Sequence, residues 1–117
     1  MVTHQDLVHS LRSFRENCNA NLQLKAMNRD WNRVIHVRVT DFTSEHTIVM
    51  REGHMEVQEG APECADMIVS GPGGVLVDVF GGGVSPTEPY LAGELQVRGS
   101  QEDILRLDFI SLMIWGE

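Results

Sequence analysis

The chain is 117 residues long, 42% hydrophobic and 22% charged, the proportions of an ordinary globular domain. A net charge of −8 argues against the basic face that a nucleic-acid binder needs. No run reaches the ~20 apolar residues of a membrane span, no signal-peptide pattern opens the chain, and Cys18 and Cys64 stand far apart without a CxxC or CxxH neighbour. The cysteines therefore read as reduced and structural, and the whole, residues 1–117, reads as one cytoplasmic domain.

Residues 3 to about 27 read as a helix. Thr3 can cap it, and Leu7, Leu11, Phe14 and Cys18 recur at the spacing of one apolar stripe. Asn17, Asn19, Asn21 and Asn28 weaken its second half, so a break is expected near 18–22. From Val34 to Thr40 the pattern alternates, with Ile35, Val37 and Val39 on one face and His36, Arg38 and Thr40 on the other. His46–Arg51 and His54–Gln58 flank the turn signal Glu52-Gly53, which predicts a hairpin and hence an antiparallel meander with one apolar face.

A fourth strand is expected at 65–70. The segment after it, GPGGVLVDVFGGG, carries Val75, Leu76, Val79 and Phe80 at helical spacing, with Ser70 as its candidate cap. Its glycines and β-branched residues are poor helix formers. Pro86, following Ser85, suits a helix start, because proline lacks an N–H that such a start leaves unpaired. Gly93 ends that helix, and Glu94–Arg98 alternates as a half-buried strand. Gly99 breaks the strand, and Ser100 caps a last helix with Asp103 three residues on. In that helix Ile104, Leu105, Phe109, Leu112 and Met113 are strongly amphipathic, and Ile110, Ile114 and Trp115 widen the apolar surface beyond one stripe.

The acidity is uneven. Residues 1–38 hold six Lys/Arg against three Asp/Glu, a net +3, whereas residues 39–117 hold three against fourteen, a net −11. A basic face open to water is the plain account of the first segment. Transient contact with an anionic membrane or an acidic partner through Arg12, Arg15, Lys25, Arg29 and Arg33 is the sharper one.

Catalytic patterns are weak throughout. Gly71, Gly73 and Gly74 fail G-x-G-x-x-G because residue 76 is leucine, and the region has no Walker lysine. His36, His46 and His54 fall on neighbouring strands, where two can meet on the exposed face, but no metal-ligand spacing accompanies them. Ser70 and Ser85 lack a G-x-S-x-G elbow, and Cys64 has no histidine beside it in sequence. No catalytic residue, metal or cofactor is expected.

The order of elements from Gly82 to Gly99 resembles the lipid-binding domain of sterol carrier protein type 2, in which a G-x-x-x-P … A/F-x-x-G-x-L-x-x-x-G run joins two helices around a strand. Here Gly82, Pro86, Leu91-Ala92, Gly93, Leu95 and Gly99 carry it. Upstream, Ala65–Ser70 and Asn32–Asp41 are similar to that family's "A-D-hydrophobic" strand and first strand. Gly73 and Gly74 depart from it where the family carries a richer helix.

The resemblance implies an α+β fold, a five-stranded mainly antiparallel sheet covered on one face by four to five helices. It also implies non-enzymatic binding, and transfer, of a fatty acyl lipid, isoprenoid or sterol in an apolar tunnel. The apolar faces nominate Met67, Val75, Leu76, Val79, Phe80, Tyr90, Leu91, Leu95, Leu105, Phe109, Leu112 and Met113 to line it, although for any one of them ordinary core is the plainer reading. Methionine suits a cavity that accepts several lipid shapes, because it repacks easily. An interaction or homodimerisation module, or an accessory factor that presents a lipid to a partner enzyme, is the alternative. The C-terminal Trp115-Gly116-Glu117 is not a peroxisomal address.

Overall fold

A computed structural model describes residues 2–82, 84 and 86–115, except for the side chain of Trp115. The chain runs α1 (His4–Ala20), α2 (Leu22–Met27), β1 (Arg33–Val39), β2 (Glu45–Arg51), β3 (His54–Glu59), β4 (Met67–Gly71), α3 (Gly73–Gly81), α4 (Thr87–Leu91), β5 (Gln96–Arg98) and α5 (Gln101–Trp115). The α+β architecture expected from the sequence is the one observed.

Local chemistry sets the helix ends. Thr3 and Asp6 form a reciprocal capping box at α1. The asparagine-rich break falls at Asn21, whose side chain accepts from the Leu24 N–H and so starts α2. For α3 the expected cap is corrected: Ser70 lies inside β4, and Pro72 precedes the helix with no side-chain cap of its own. The Gly73 N–H instead donates to Asp41 Oδ1 at 2.9 Å. Gly73 also has a steric reason, since a Cβ there would lie 2.4 Å from Phe42 Cε1. Pro86 stands at the start of α4 but one place earlier than the first helical position expected for it, as the residue before Thr87, while Ser85 lies outside the described residues.

The sheet order is β3-β2-β1-β4-β5. All neighbours are antiparallel except β1 and β4, which run parallel with Ile35 opposite Met67 and Val37 opposite Val69. The long connection through the meander makes that parallel pair feasible. On the helical side Ile35, Val37, Ile48, Met50, Met55, Met67 and Val69 are buried under Leu7, Leu11, Phe14 and Cys18 of α1 and Leu76, Val79 and Phe80 of α3. Phe14 meets Phe80 edge-on at 5.2 Å, the favourable aromatic geometry. Arg38, His54, Glu56, Gln58, Gln96 and Arg98 are exposed on the opposite face.

Candidate functional site

Beneath α4 and α5 the core is incomplete. A cavity of about 170 Å³ is walled by Val69 of β4, Leu95 and Val97 at β5, Val79 and Phe80 of α3, Pro86, Thr87 and Tyr90 of α4, and Ile104, Leu105, Leu107, Asp108 and Ser111 of α5. Of its wall residues Thr87, Tyr90 and Leu105 are also exposed, the last two at 45% and 61%. A shallower depression of about 720 Å³ lies between α3 and α4, bordered by Val75, Asp78, Val84, Glu88, Leu91 and Glu94, and Val79 is a wall of both. The smaller cavity matches in size the ~150 Å³ apolar void that binds benzene, and is below the ~300 Å³ at which ordinary ligand pockets begin. Its chemistry is that of an apolar-ligand site, with a carboxylate and hydroxyls at intervals in the wall.

The structure brings Val79, Phe80, Tyr90, Leu95 and Leu105 together around this cavity. Val75 and Leu91 border the shallower depression instead. Met67 and Leu76 are core residues that do not reach either wall. Phe109 and Leu112 lie on the outer side of α5, 45% and 57% exposed, and Met113 is half-buried. Hydrophobicity alone favours the 105/109/112 stripe, whereas the cavity is faced by Ile104, Leu107, Asp108 and Ser111, at helical spacings of three, four and seven. That face includes two polar residues, which is why an apolar search passes over it. The alternation of Val97 between Gln96 and Arg98 is the signal that points to β5 as a wall.

The N-terminal turn of α5, from which that cavity wall continues, is anchored by Asp103, a buried carboxylate. Trp31 Nε1–H donates to its Oδ1 at 2.8 Å, Arg33 Nε–H reaches both oxygens at 3.0 Å, and its own N–H donates to Ser100 Oγ. Burial raises the Asp103 pKa, but the hydrogen bonds from Trp31, Arg33 and Ser100 and the nearby guanidinium more than offset it, so the group titrates below the usual aspartate range. The Arg33 and Arg106 guanidinium carbons stand 5.7 and 5.5 Å from the Trp31 ring centroid, a cation–π arrangement on the loop that leads into β1.

The histidines divide by face. His36 and His54 are on the open side and pair with Glu45 and Glu56. His46 does not join them there. It is buried, stacked at 5.0 Å on His4, with the Ser44 hydroxyl 2.8 Å from both His4 Nδ1 and His46 Nε2, and with Glu59 bonded to His4 Nε2. Burial, then the neighbouring His4, holds His46 below its ordinary pKa, and its Nδ1 has no partner among the described residues. The cluster latches the start of α1 to β2 and β3. Among the described residues no group of three or more His, Cys, Asp or Glu is placed to hold a metal ion, and no helix is long and apolar enough to cross a membrane.

Comparison with known proteins agrees with the fold. The family profile described as the SCP-2 sterol transfer family matches residues 12–110. A search of curated sequences finds no match. Among solved structures, the sterol carrier protein domain 2 of Helicoverpa armigera superposes with a TM-score of 0.75 at 16% identity, covering 96% of this chain and 90% of that one. A structure described as "UbiJ-SCP2 Ubiquinone synthesis protein" gives 0.68 at 20% identity, covering 89% and 86%. The inverting sec-alkylsulfatase Pisa1 from Pseudomonas sp. gives 0.62 at 12% identity, covering 80% of this chain but only 14% of the enzyme. At these identities the likeness is one of fold.

Proposed function

Because the chain belongs to the SCP-2 sterol transfer family, we propose that it is a non-enzymatic, cytoplasmic single-domain carrier that binds and transfers a hydrophobic ligand, a fatty acyl lipid, isoprenoid or sterol. The observation that supports this reading best is the apolar cavity under α4 and α5, whose wall residues Tyr90 and Leu105 also reach the surface. At about 30 Å³ per heavy group it takes roughly six such groups without rearrangement. At ~0.8 kcal/mol per methylene that is on the order of 5 kcal/mol gross, against an association cost of 4–15 kcal/mol. A sixteen-carbon chain at ~12 kcal/mol gross is needed for useful affinity. Binding therefore entails parting α4 from α5 and joining the two depressions across Val79. The short α4, five residues long, is the element that moves. The N-terminal helix α1, with Arg12 and Arg15, is suited to transient membrane contact during loading.

The test is native mass spectrometry on protein from its own host, with organic extraction of any adduct and displacement of a fluorescent fatty acid. The carrier reading expects an extractable lipid and displaceable probe. It also expects Val97→Phe, which fills the cavity, to remove both while the fold persists. A clean apo mass with no probe binding by the folded protein refutes it. A second reading is favoured by the exposed outer face of α5: an accessory module that presents a lipid to an enzyme, consistent with a fold relative described as a ubiquinone synthesis protein. Co-purification with a prenylated intermediate and a partner enzyme distinguishes the two.

A further inference from the structure

Helix α5 is apolar on both sides. Its inner side buries Leu107 and Ile110, while Leu105, Phe109 and Leu112 form an outward stripe over two turns, from 45% to 61% exposed. An apolar stripe on the outer side of a helix marks a surface that is ordinarily covered. The acidic residues beside this stripe on α5 are Glu102, which is exposed, and Asp108, which is half-buried and also a wall of the cavity. No Lys or Arg borders either depression, and Arg106 on α5 is turned onto Trp31 and donates to Asn28 Oδ1 at 2.8 Å.

The complementary surface stands next to it on the same chain. Helix α2 exposes Leu22 at 80% and Met27 at 38%, with Lys25 and the exposed Arg29 beside them. No carboxylate occurs from residue 17 to residue 29. Arg106 Nη1 donates to Met27 O at 3.3 Å, so the end of α2 abuts α5 and the basic and acidic patches are neighbours. Among the described residues neither Lys25 nor Arg29 has a carboxylate partner.

From this juxtaposition we infer that a second copy of this chain covers the face: Leu22 and Lys25 of α2, with Arg29 just beyond the helix, lie on the Leu105–Phe109–Leu112 stripe of the other protomer, in an isologous twofold dimer. Adjacent patches of opposite charge permit a closed reciprocal contact, because a twofold axis between them sets each basic patch on the partner's acidic one. The size fits. The apolar residues of the contact, Leu22, Leu105, Phe109 and Leu112, expose about 500 Å² at ~200 Å² per large side chain, and the flanking charged side chains carry the face toward the ~800 Å² per partner of a standard interface. A single acidic or basic partner protein explains only one of the two patches. An anionic membrane fits α2 but is repelled by the carboxylates beside α5.

The inference does not depend on the lipid reading, and its test uses no lipid to detect association. Sedimentation velocity on the full chain at low and high salt is expected to show a mass rising with concentration from 13.1 kDa to twice that value. Association should weaken as salt rises. The variants Leu112→Gln, Lys25→Glu/Arg29→Glu and Glu102→Lys are each expected to dissociate about tenfold or more readily while keeping the parent circular dichroism. Mixing the two charge-reversed variants is expected to restore the dimer as a heterodimer, since both contacts then pair opposite charges again. A merely structural role for these surface charges predicts no such rescue. A monomer at every concentration overturns the inference, as does a dimer indifferent to all three variants or a failure of the mixture to associate. Co-flotation of a monomeric chain with phosphatidylcholine/phosphatidylglycerol vesicles through Lys25 and Arg29 also overturns it, by assigning the face to a membrane.

Discussion

Replacing Asp103 with alanine tests whether α5 is held to the sheet by one buried carboxylate. The substitution removes the acceptor of the Trp31 indole N–H, buried at 6% exposure, and the partner of Arg33. An orphaned buried donor costs about 1–3 kcal/mol, and breaking a fully buried pair about 3–5 kcal/mol. The Arg33 side chain remains 34% exposed and regains water, so its share falls well below that upper range. The expected loss for Asp103→Ala is about 2–4 kcal/mol, or roughly 8–16 °C in Tm for a domain of this size. Asp103→Asn keeps an acceptor for Trp31 and should lose only about 1–2 kcal/mol. Urea unfolding at neutral pH, followed by tryptophan fluorescence, gives both numbers. The sign with pH follows from the lowered Asp103 pKa: its contribution is complete above the ordinary value of 3.8 and is lost as pH falls through the folded value. Both variants should therefore flatten the acid limb of the stability curve. An alanine variant within about 1 kcal/mol of the parent, or an asparagine variant equally damaged, would refute the anchoring argument.

Further outcomes follow from single positions. Gly74→Ala, whose new Cβ meets nothing closer than 3.7 Å, should stabilise α3 by up to ~1 kcal/mol, whereas Gly73→Ala, aimed at Phe42, should destabilise by about 1–3 kcal/mol; paired thermal melts decide it. Burial pushes the Cys18 thiol up to about 11, while Cys64 is exposed. One thiol should react promptly with a disulfide reagent at mildly alkaline pH and the second only on unfolding; two prompt thiols would contradict the packing of α1. Since burial and His4 lower the His46 pKa, the unfolded chain binds more protons below 6.5, and stability should decline as pH drops under that value. His46→Phe should remove that part of the decline, read from unfolding at pH values on either side.

Much of the chain was legible in order. Thr3, Asn21, Pro86, Gly93 and Ser100 mark ends because capping and φ restrictions act within a few residues, so no tertiary information is required. The alternation of Ile35, Val37 and Val39 fixed one face of β1 for the same local reason. Long-range chemistry was not legible. Asp41 in place of Ser70 at the start of α3, Asp103 beneath Trp31, and His46 against His4 each join residues from 32 to 72 positions apart.

The cavity divides the same way. The order of residues alone shows more apolar helical surface in the last quarter of the chain than a single stripe requires. Which part of that surface faces inward is set by packing. Once Asp103 is tied to Trp31 and Arg33, the rotation of α5 is set: Ile104, Leu107, Asp108 and Ser111 turn to the cavity, and Phe109 and Leu112 turn to the outside. Hydrophobicity is non-directional and fits either orientation equally well, whereas a buried carboxylate has few places where its charge can be satisfied.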